Sequence, residues 1–411
     1  MKILHVPHFF VPCLSAGGVV NAAYQIAKKQ VDEGHDVHVY TCDGCKERLK
    51  FDNRYDVDVD GITVDYFKNI SNKFKLATML DTPLSAPLKI KKGISSFDVI
   101  HIHEHRQTLA IISAYYARKH DIPYVVQAHG SVLPFFQKEG LKNIFDKTFG
   151  FDILHNASKV FALTEVEKEQ YLKMGVKEEN IEIVPLGINI EEYSDLPKRG
   201  LFREKFNISE SDKLILFVGR IHKIKGLDLL VNAFKELCDD LNNLNDLDLN
   251  NLSDSDLIKS NNSVKLAIVG PDDGFLDELE SLILKLGLKD NVIITGPLYK
   301  EEKQEALVDC DLFVMPSQYE SFTTSGLEAM ACSKPLVLTK NNHIQDWVNG
   351  NVGISCDYDS NSLKSAMYEV LSNEELASKF SKEGLRLVYE KYNWDVINNQ
   401  IIDIYESISK N

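Results

Sequence analysis

No uncharged apolar run in the sequence reaches the ~20 residues that a membrane-spanning helix needs, so an integral membrane protein built on helices is not expected. Nor does a basic segment leading into an apolar one follow Met1; the strand-like KILHV comes at once, as expected of a chain without a secretory signal. Basic residues are outnumbered, 46 Lys and Arg against 61 Asp and Glu, for a net charge of -15. That balance argues against broad binding to a phosphate backbone, and nucleic acid is not an expected partner. Cysteines number seven and are scattered, apart from Cys42 and Cys45 of CDGC. A single C-x-x-C with no second pair and no flanking histidines reads as a turn after a strand rather than a zinc site. Neither half of the chain carries a G-x-G-x-x-G in its first βα turn, which counts against a dinucleotide-dependent oxidoreductase.

What is there is an ordinary globular composition, 44% hydrophobic and 26% charged, spread over 411 residues. One hydrophobic core seldom grows past about 250 to 300 residues, so two domains are expected. Short β-branched runs alternate with longer amphipathic ones, the pattern of βα units around parallel sheets buried on both faces. KILHV, HDVHVYT, ITVDYF, DVIHIH, PYVVQAH, KVFALT and IEIVPLG form a first series; KLILFVG, VKLAIVG, NVIITGP, DLFVMPS and PLVLT form a second. Polar EEYSDLPKRG, Glu191 to Gly200, reads as the linker between them. The expectation is two doubly wound α/β domains, residues 1–197 and 198–393, with 394–411 as an amphipathic helix carrying Trp394, Ile397, Ile401 and Tyr405 on one side. Residues 239–263, almost wholly Asp, Asn, Leu and Ser, read as a solvated insertion.

Open sheets of this kind bind ligands beyond the carboxyl ends of their strands. After the first strand, Gly17 and Gly18 precede a helical pattern, where close-approaching backbone N–H groups suit an anion, or only a turn. After the first strand of the second series come Gly219, Arg220, Lys225 and Gly226, whose two permanent cations suit a diphosphate or a solvated basic turn equally. PSQYESFTTSGLEAM, Pro316 to Met330, holds Glu320 in a strand-to-helix loop and Glu328 about a turn into the helix, with the N–H groups of Ser321, Phe322, Thr323 and Thr324 between. Carboxylates accept from the paired hydroxyls of a sugar or ribose, and the amides suit phosphates; a helix-dipole partner and a surface residue are the competing assignments.

Together GRIHKIKGLDLLVNAF, LAIVGPDDG, NVIITGPL and DLFVMPSQYESFTTSGLEAMACSKPLVLT resemble, in order and spacing, the family 4 glycosyltransferases of GT-B fold, and the likeness runs from Met1 to the YNW region. It implies two Rossmann-like domains facing a cleft: an acceptor-side domain, 1–197, joined by the helix 394–411 crossing back, and a nucleotide-sugar domain, 198–393. It implies a retaining, metal-independent hexosyltransferase, with no cofactor, that moves a sugar from a UDP- or GDP-sugar to a saccharide or lipid-linked acceptor in cell-surface glycan synthesis. Metal independence matches the lack of a D-x-D on a strand-end loop; Asp246 and Asp248 form DLD only within the insertion. By the same likeness Arg220 and Lys225 hold the diphosphate, and Glu320 with the loop amides holds the transferred sugar. Glu328 takes the ribose, Gly17, Gly18 and Gly219 approach the phosphates, and His129 of VVQAHGS faces the donor sugar. Ser333, and Ser-Phe-Thr-Thr after Glu320, depart from the small residues many relatives carry and leave the sugar unassigned. A nucleotide-sugar epimerase and a non-catalytic nucleotide-sugar-binding protein are the alternatives. A cytoplasmic protein is expected, with Lys68 to Gly93, lysines mixed with apolar residues, read either as a peripheral contact on the inner face of the membrane or as a solvated connection.

Overall fold

Parallel strands buried on both faces must be apolar on both, and the two strand series of the sequence build two such sheets. The structure is a computed structural model and describes residues 1–13, 17–45, 47–78, 80–134, 139–245 and 263–409. The chain divides into two compact units, Met1–Leu186 with Trp394–Asn411, and Gly187–Asn393. Asp246, Asp248 and most of the expected insertion lie outside the described residues. Its opening does not: residues 239–245 continue the helix Leu227–Asn245, which carries a strong apolar stripe through Leu230, Phe234, Leu237 and Leu241.

The first unit holds β1 (Lys2–Pro7), β2 (Asp36–Cys42), β3 (Val57–Val59), β4 (Ile62–Phe67), β5 (Val99–His103), β6 (Tyr124–Gln127), β7 (Lys159–Ala162) and β8 (Ile181–Ile183). They form an eight-stranded sheet in the order β3-β4-β2-β1-β5-β6-β7-β8, parallel except for β3 on β4. Side chains alternate across a strand. Leu4 and Val6 of β1 and Ile100 and Ile102 of β5 enter an apolar core that also takes Leu109, Ala110 and Ala114 of the helix Thr108–Lys119. The intervening His5, His101 and His103 point to the opposite face, where His5 meets Gln30 of the helix Gly18–Asp32 and His101 meets Tyr405 of the helix Trp394–Ser409. That last helix buries Trp394, Ile397, Ile401 and Tyr405, each large apolar side chain contributing about 1.5–3 kcal/mol. Its periodicity in the sequence therefore marks a face that packs on the first unit, although the second unit precedes it in the chain.

The second unit holds β9 (Lys213–Val218), β10 (Val264–Val269), β11 (Val292–Gly296), β12 (Leu312–Met315), β13 (Leu336–Thr339) and β14 (Gly353–Cys356), in the order β11-β10-β9-β12-β13-β14, all parallel. The short strands β3 and β14 are absent from the sequence reading. The polar stretch Glu191–Gly200, read there as a linker, lies inside this unit: Tyr193 is buried and the N–H of Gly200 donates to Asp309 Oδ1 at 2.6 Å.

Cys45, in the turn after β2, forms a disulfide that the sequence reading did not include, with Cys13, 32 residues away and on the loop after β1, while Cys42 is a buried free thiol. The two partners are distant in sequence, so no local spacing announces the bond.

Candidate functional site

In the second sheet the strand order reverses between β9 and β12, and open α/β sheets take ligands beyond the strand ends at such a reversal. Arg220 lies just beyond β9 and Glu320 just beyond β12, so both strand-end loops meet there. Two glycines allow that meeting. Gly226 has φ +67°, and a Cβ on it would sit 2.1 Å from the Pro316 carbonyl oxygen. Gly270, after β10, has φ +153°, and a Cβ there would sit 1.8 Å from the Gly219 oxygen. The N–H of Gln318 then donates to Ile224 O at 2.8 Å, tying one loop to the other.

Lys225 Nζ bonds Glu320 Oε2, with the two side chains only 14% and 15% exposed. Ser317 Oγ approaches the same carboxylate oxygen at 3.5 Å. The Glu320 backbone is clamped to the loop after β13: its N–H donates to Asn341 O at 3.2 Å and its carbonyl accepts from His343 N–H at 2.9 Å. Buried Asn342 fixes that loop by donating to Met315 O and Thr339 O, both at 3.2 Å. Glu320 is thus held as a charged acceptor at a fixed place.

The helix Thr324–Ala331 begins as the sequence suggests, capped by the Thr323 hydroxyl, which accepts from Gly326 N–H at 3.1 Å. The N–H groups of a helix's first turn have no acceptor within the helix, and here Thr323 satisfies that of Gly326. Phe322 contributes backbone alone, since its ring is buried 6.3 Å from that of Tyr392 and 6.5 Å from that of Trp347. Glu328, one turn in, accepts from Lys303 Nζ at 2.7 Å. Burial, then the Glu328 charge, pushes the phenol of the neighbouring Tyr193 up, so that it stays protonated. Arg220 is the exposed member of the group, 55% accessible, and pairs with Asp273.

The structure therefore brings Lys225 directly onto Glu320, and places Arg220 with Asp273 and Glu328 with Lys303. The sequence reading missed Asp273, Lys303 and Asn342. Asp273 stood in plain view in GPDDG, but nothing local links Lys303 or Asn342 to a glutamate elsewhere in the chain. Chemically, the group offers acceptor-only carboxylates for hydroxyls, fixed cations for phosphate oxygens, and a helix start between them.

In the first unit Gly17 caps the helix Gly18–Asp32 with φ +94°, and a Cβ at either glycine would meet no described residue within 4 Å. Among the described residues nothing therefore requires glycine at position 18 for packing, whereas position 17 has a conformational demand for it. His129 follows β6 with φ +52°, a left-handed conformation unusual for a side-chain-bearing residue, and Gly130 follows with φ +86°. The strain is overdetermined by its surroundings. Glu167 accepts from Gly130 N–H and Leu163 N–H, each at 2.6 Å, and the Tyr171 hydroxyl accepts from Ala128 N–H at 3.0 Å. Arg106 grips Asp146 with two bonds of 2.8 and 2.6 Å and donates to the carbonyls of Ser131 and Val132.

Lys75, in the stretch read as either a membrane contact or a solvated connection, is buried: its Nζ lies 2.8 Å from Asp81 Oδ1, and His8 Nε2 lies 3.2 Å from Asp81 Oδ2. Lys89 likewise pairs with Asp65 at 2.7 Å. The same stretch exposes Ile70, Phe74, Leu84 and Leu88. Among the described residues the grouping able to offer three ligand atoms to a metal is His5, His101 and His103. Both nitrogens of His5 and of His103 already lie in hydrogen bonds, so a metal there would have to break them.

Known proteins are similar to this one along most of the chain. Residues 198–387 match the family described as glycosyl transferases group 1, and residues 16–192 match glycosyltransferase family 4. An uncharacterised glycosyltransferase of Methanocaldococcus jannaschii is 25% identical over 99% of this chain and 98% of its own. N-acetyl-alpha-D-glucosaminyl L-malate synthase of Bacillus anthracis is 23% identical over 97% of this chain and 95% of its own. Among solved structures, the Anabaena protein HepE in complex with UDP superposes with a TM-score of 0.73, at 19% identity, covering 99% of this chain and 100% of its own. The two Rossmann-like units are those of the GT-B fold, and the chain belongs to the family 4 glycosyltransferases.

Proposed function

We propose that the protein transfers a hexose, with retention of anomeric configuration and without a metal, from a UDP- or GDP-sugar to a saccharide or lipid-linked acceptor in cell-surface glycan synthesis. The observation that carries this reading is the meeting of Lys225 and Glu320 at the β9/β12 reversal, with Arg220 beside the same strand end and Glu328 one turn into the adjoining helix. Arg220 and Lys225 hold the diphosphate and stabilise it as it leaves, a role suited to cations fixed before the reaction begins. Ion pairing with Glu320 and Asp273 keeps both cations in place until phosphate oxygens compete for them. Glu320 accepts from hydroxyls of the transferred sugar, with the Ser321–Thr324 amides and Gly219 near the phosphates. Glu328 accepts from the ribose. Gly17, Gly18 and His129, all in the acceptor-side unit Met1–Leu186 with Trp394–Asn411, serve the donor. That HepE was solved with UDP supports a uridine or related nucleotide here.

Retention needs no covalent glycosyl-Glu320. Lys225 occupies one of its oxygens, which suits a hydroxyl acceptor better than a nucleophile. The exposed Ile70, Phe74, Leu84 and Leu88 support a peripheral contact between Lys68–Gly93 and the inner face of the membrane, in a cytoplasmic protein. Incubation with UDP- and GDP-sugars, with and without a panel of acceptors and read by mass spectrometry, tests the reaction. Transfer requires acceptor, whereas an epimerase converts donor alone and a binding protein releases nothing. Lys225→Ala and Arg220→Ala are each expected to lower turnover by about 10²-fold or more, the usual loss for one fixed group that stabilises developing charge. Full transfer by both variants would remove the diphosphate assignment.

A further inference from the structure

Four side chains on one face of the first sheet form a single file of hydrogen bonds that ends at His129. Gln30 Oε1 lies 2.7 Å from His5 Nε2, His5 Nδ1 lies 2.9 Å from His103 Nε2, and His103 Nδ1 lies 2.9 Å from His129 Nε2. The rings of His5 and His103 stack at 5.3 Å and those of His103 and His129 at 5.2 Å, with interplanar angles of 23° and 12°. His129 Nδ1, at the far end, is buried and has no hydrogen-bond partner among the described residues.

A neutral imidazole carries one N–H, so each ring that donates from one nitrogen must accept at the other. An amide oxygen can only accept. His5 therefore carries its proton on Nε2, which leaves its Nδ1 to accept from His103 Nε2–H. His103 Nδ1 in turn accepts from His129 Nε2–H, and the last nitrogen, His129 Nδ1, is a bare lone pair.

We propose that Gln30, His5 and His103 act as positioning residues that fix the tautomer of His129, presenting its Nδ1 as an acceptor for a ligand hydroxyl rather than a donor to phosphate. Burial keeps the file neutral: it holds His5 down to about 4 and His129 down to about 3, and His103 well below the ordinary imidazole range, aided by the neighbouring His101, His129 and His5. A charged ring anywhere in the file would carry two N–H groups and break the sequence of donors. Only the catalytic consequence rests on the reading of His129 as a residue that faces the transferred sugar; the tautomer rests on the hydrogen-bonded file and on Gln30 turning its Oε1 toward His5.

The test uses the full-length chain labelled with ¹⁵N-histidine, a long-range ¹H–¹⁵N correlation, and His129→Gln to assign the ring. The wild type is expected to show His129 protonated on Nε2 with an unprotonated Nδ1. Gln30→Leu removes the terminal acceptor and is expected to give a mixture of tautomers. Turnover of Gln30→Leu is expected to fall about tenfold in kcat, or 1.36 kcal/mol, with KM for the donor unchanged. A wild-type His129 bearing its proton on Nδ1, as an amide turned through 180° would impose, overturns the proposal, and so does an unchanged signal in Gln30→Leu. If the tautomer responds as expected while kcat does not move, the relay stands and the sugar-facing role of His129 falls.

Discussion

Replacement of Gly226 by Ala separates the two demands made on that residue. Its backbone is left-handed, φ 67° and ψ 30°, which costs an L-residue roughly 1 kcal/mol. The new Cβ would also stand 2.1 Å from Pro316 O, where carbon and oxygen ordinarily keep about 3.3 Å. The turn after β9 must then retreat by about 1 Å from β12, stretching the 2.8 Å bond from Gln318 to Ile224 and the Lys225–Glu320 pair. Overpacking of this kind adds about 1–3 kcal/mol, so the total is about 2–4 kcal/mol. Gly287→Ala is the control: its φ is +70°, yet a Cβ there meets no described residue within 4 Å, so the conformational cost of about 1 kcal/mol is the one that applies. The chain has two tryptophans, Trp347 in the second unit and Trp394 in the first. Urea unfolding followed by Trp347 fluorescence in a Trp394→Phe background therefore reports on the unit concerned. Calorimetry of UDP and GDP should show weakened binding for Gly226→Ala and wild-type binding for Gly287→Ala. Equal destabilisation by the two substitutions would refute the steric argument.

Glu328→Ala is expected to weaken nucleotide affinity by about tenfold or more, the scale of a hydrogen bond to a charged group, and unchanged calorimetric affinity would refute the ribose contact. Acid should destabilise the first unit. Burial lowers His5, His101, His103 and His129, so their contribution is present above pH 6.5 and is lost as pH falls toward their folded values, by about 1.4 kcal/mol per pH unit for each. Glu167, which burial pushes up to about 7, opposes this: its contribution is present below pH 4.5 and lost as pH rises to 7. Burial also lowers His35 and His105 and raises Glu104 in this unit, so six histidines against two glutamates leave a net loss on acidification, and flat thermal melts between pH 7.5 and 5, read by Trp394 in a Trp347→Phe background, would contradict it. Thiol titration of the denatured, unreduced chain should count five free cysteines of seven, and a count of seven would remove the Cys13–Cys45 bond.

Much of the candidate site was legible because its residues follow strands. A run such as KLILFVG or DLFVMPS must be buried, and what comes after it must emerge at a sheet edge, so Arg220 and Glu320 could be placed from pattern alone, whereas His129 was singled out only by the family resemblance. Glu328 followed from helix periodicity. Pairings were not legible, because Lys303 with Glu328, Asp273 with Arg220 and Cys13 with Cys45 join positions whose separations carry no period. Nor could Lys75 be told from its exposed neighbours, since only the fold sets Asp81 against it. The polar stretch after Gly187 looked like a linker for a related reason: composition records solubility, whereas the burial of Tyr193 depends on its packing in the second unit.

By itself the sequence determined the class of each sheet, the order of its elements and the chemistry at its strand ends, because apolar periodicity and residue type are local properties. Tertiary structure alone decided which charges meet, and it set His103 of DVIHIH in an ordered file with His5 and His129. Two parallel strands set His5 beside His103, and a helix from before β2 supplies Gln30. A proton's place on His129 is thus settled by a residue about a hundred positions earlier in the chain, through contacts that no spacing encodes.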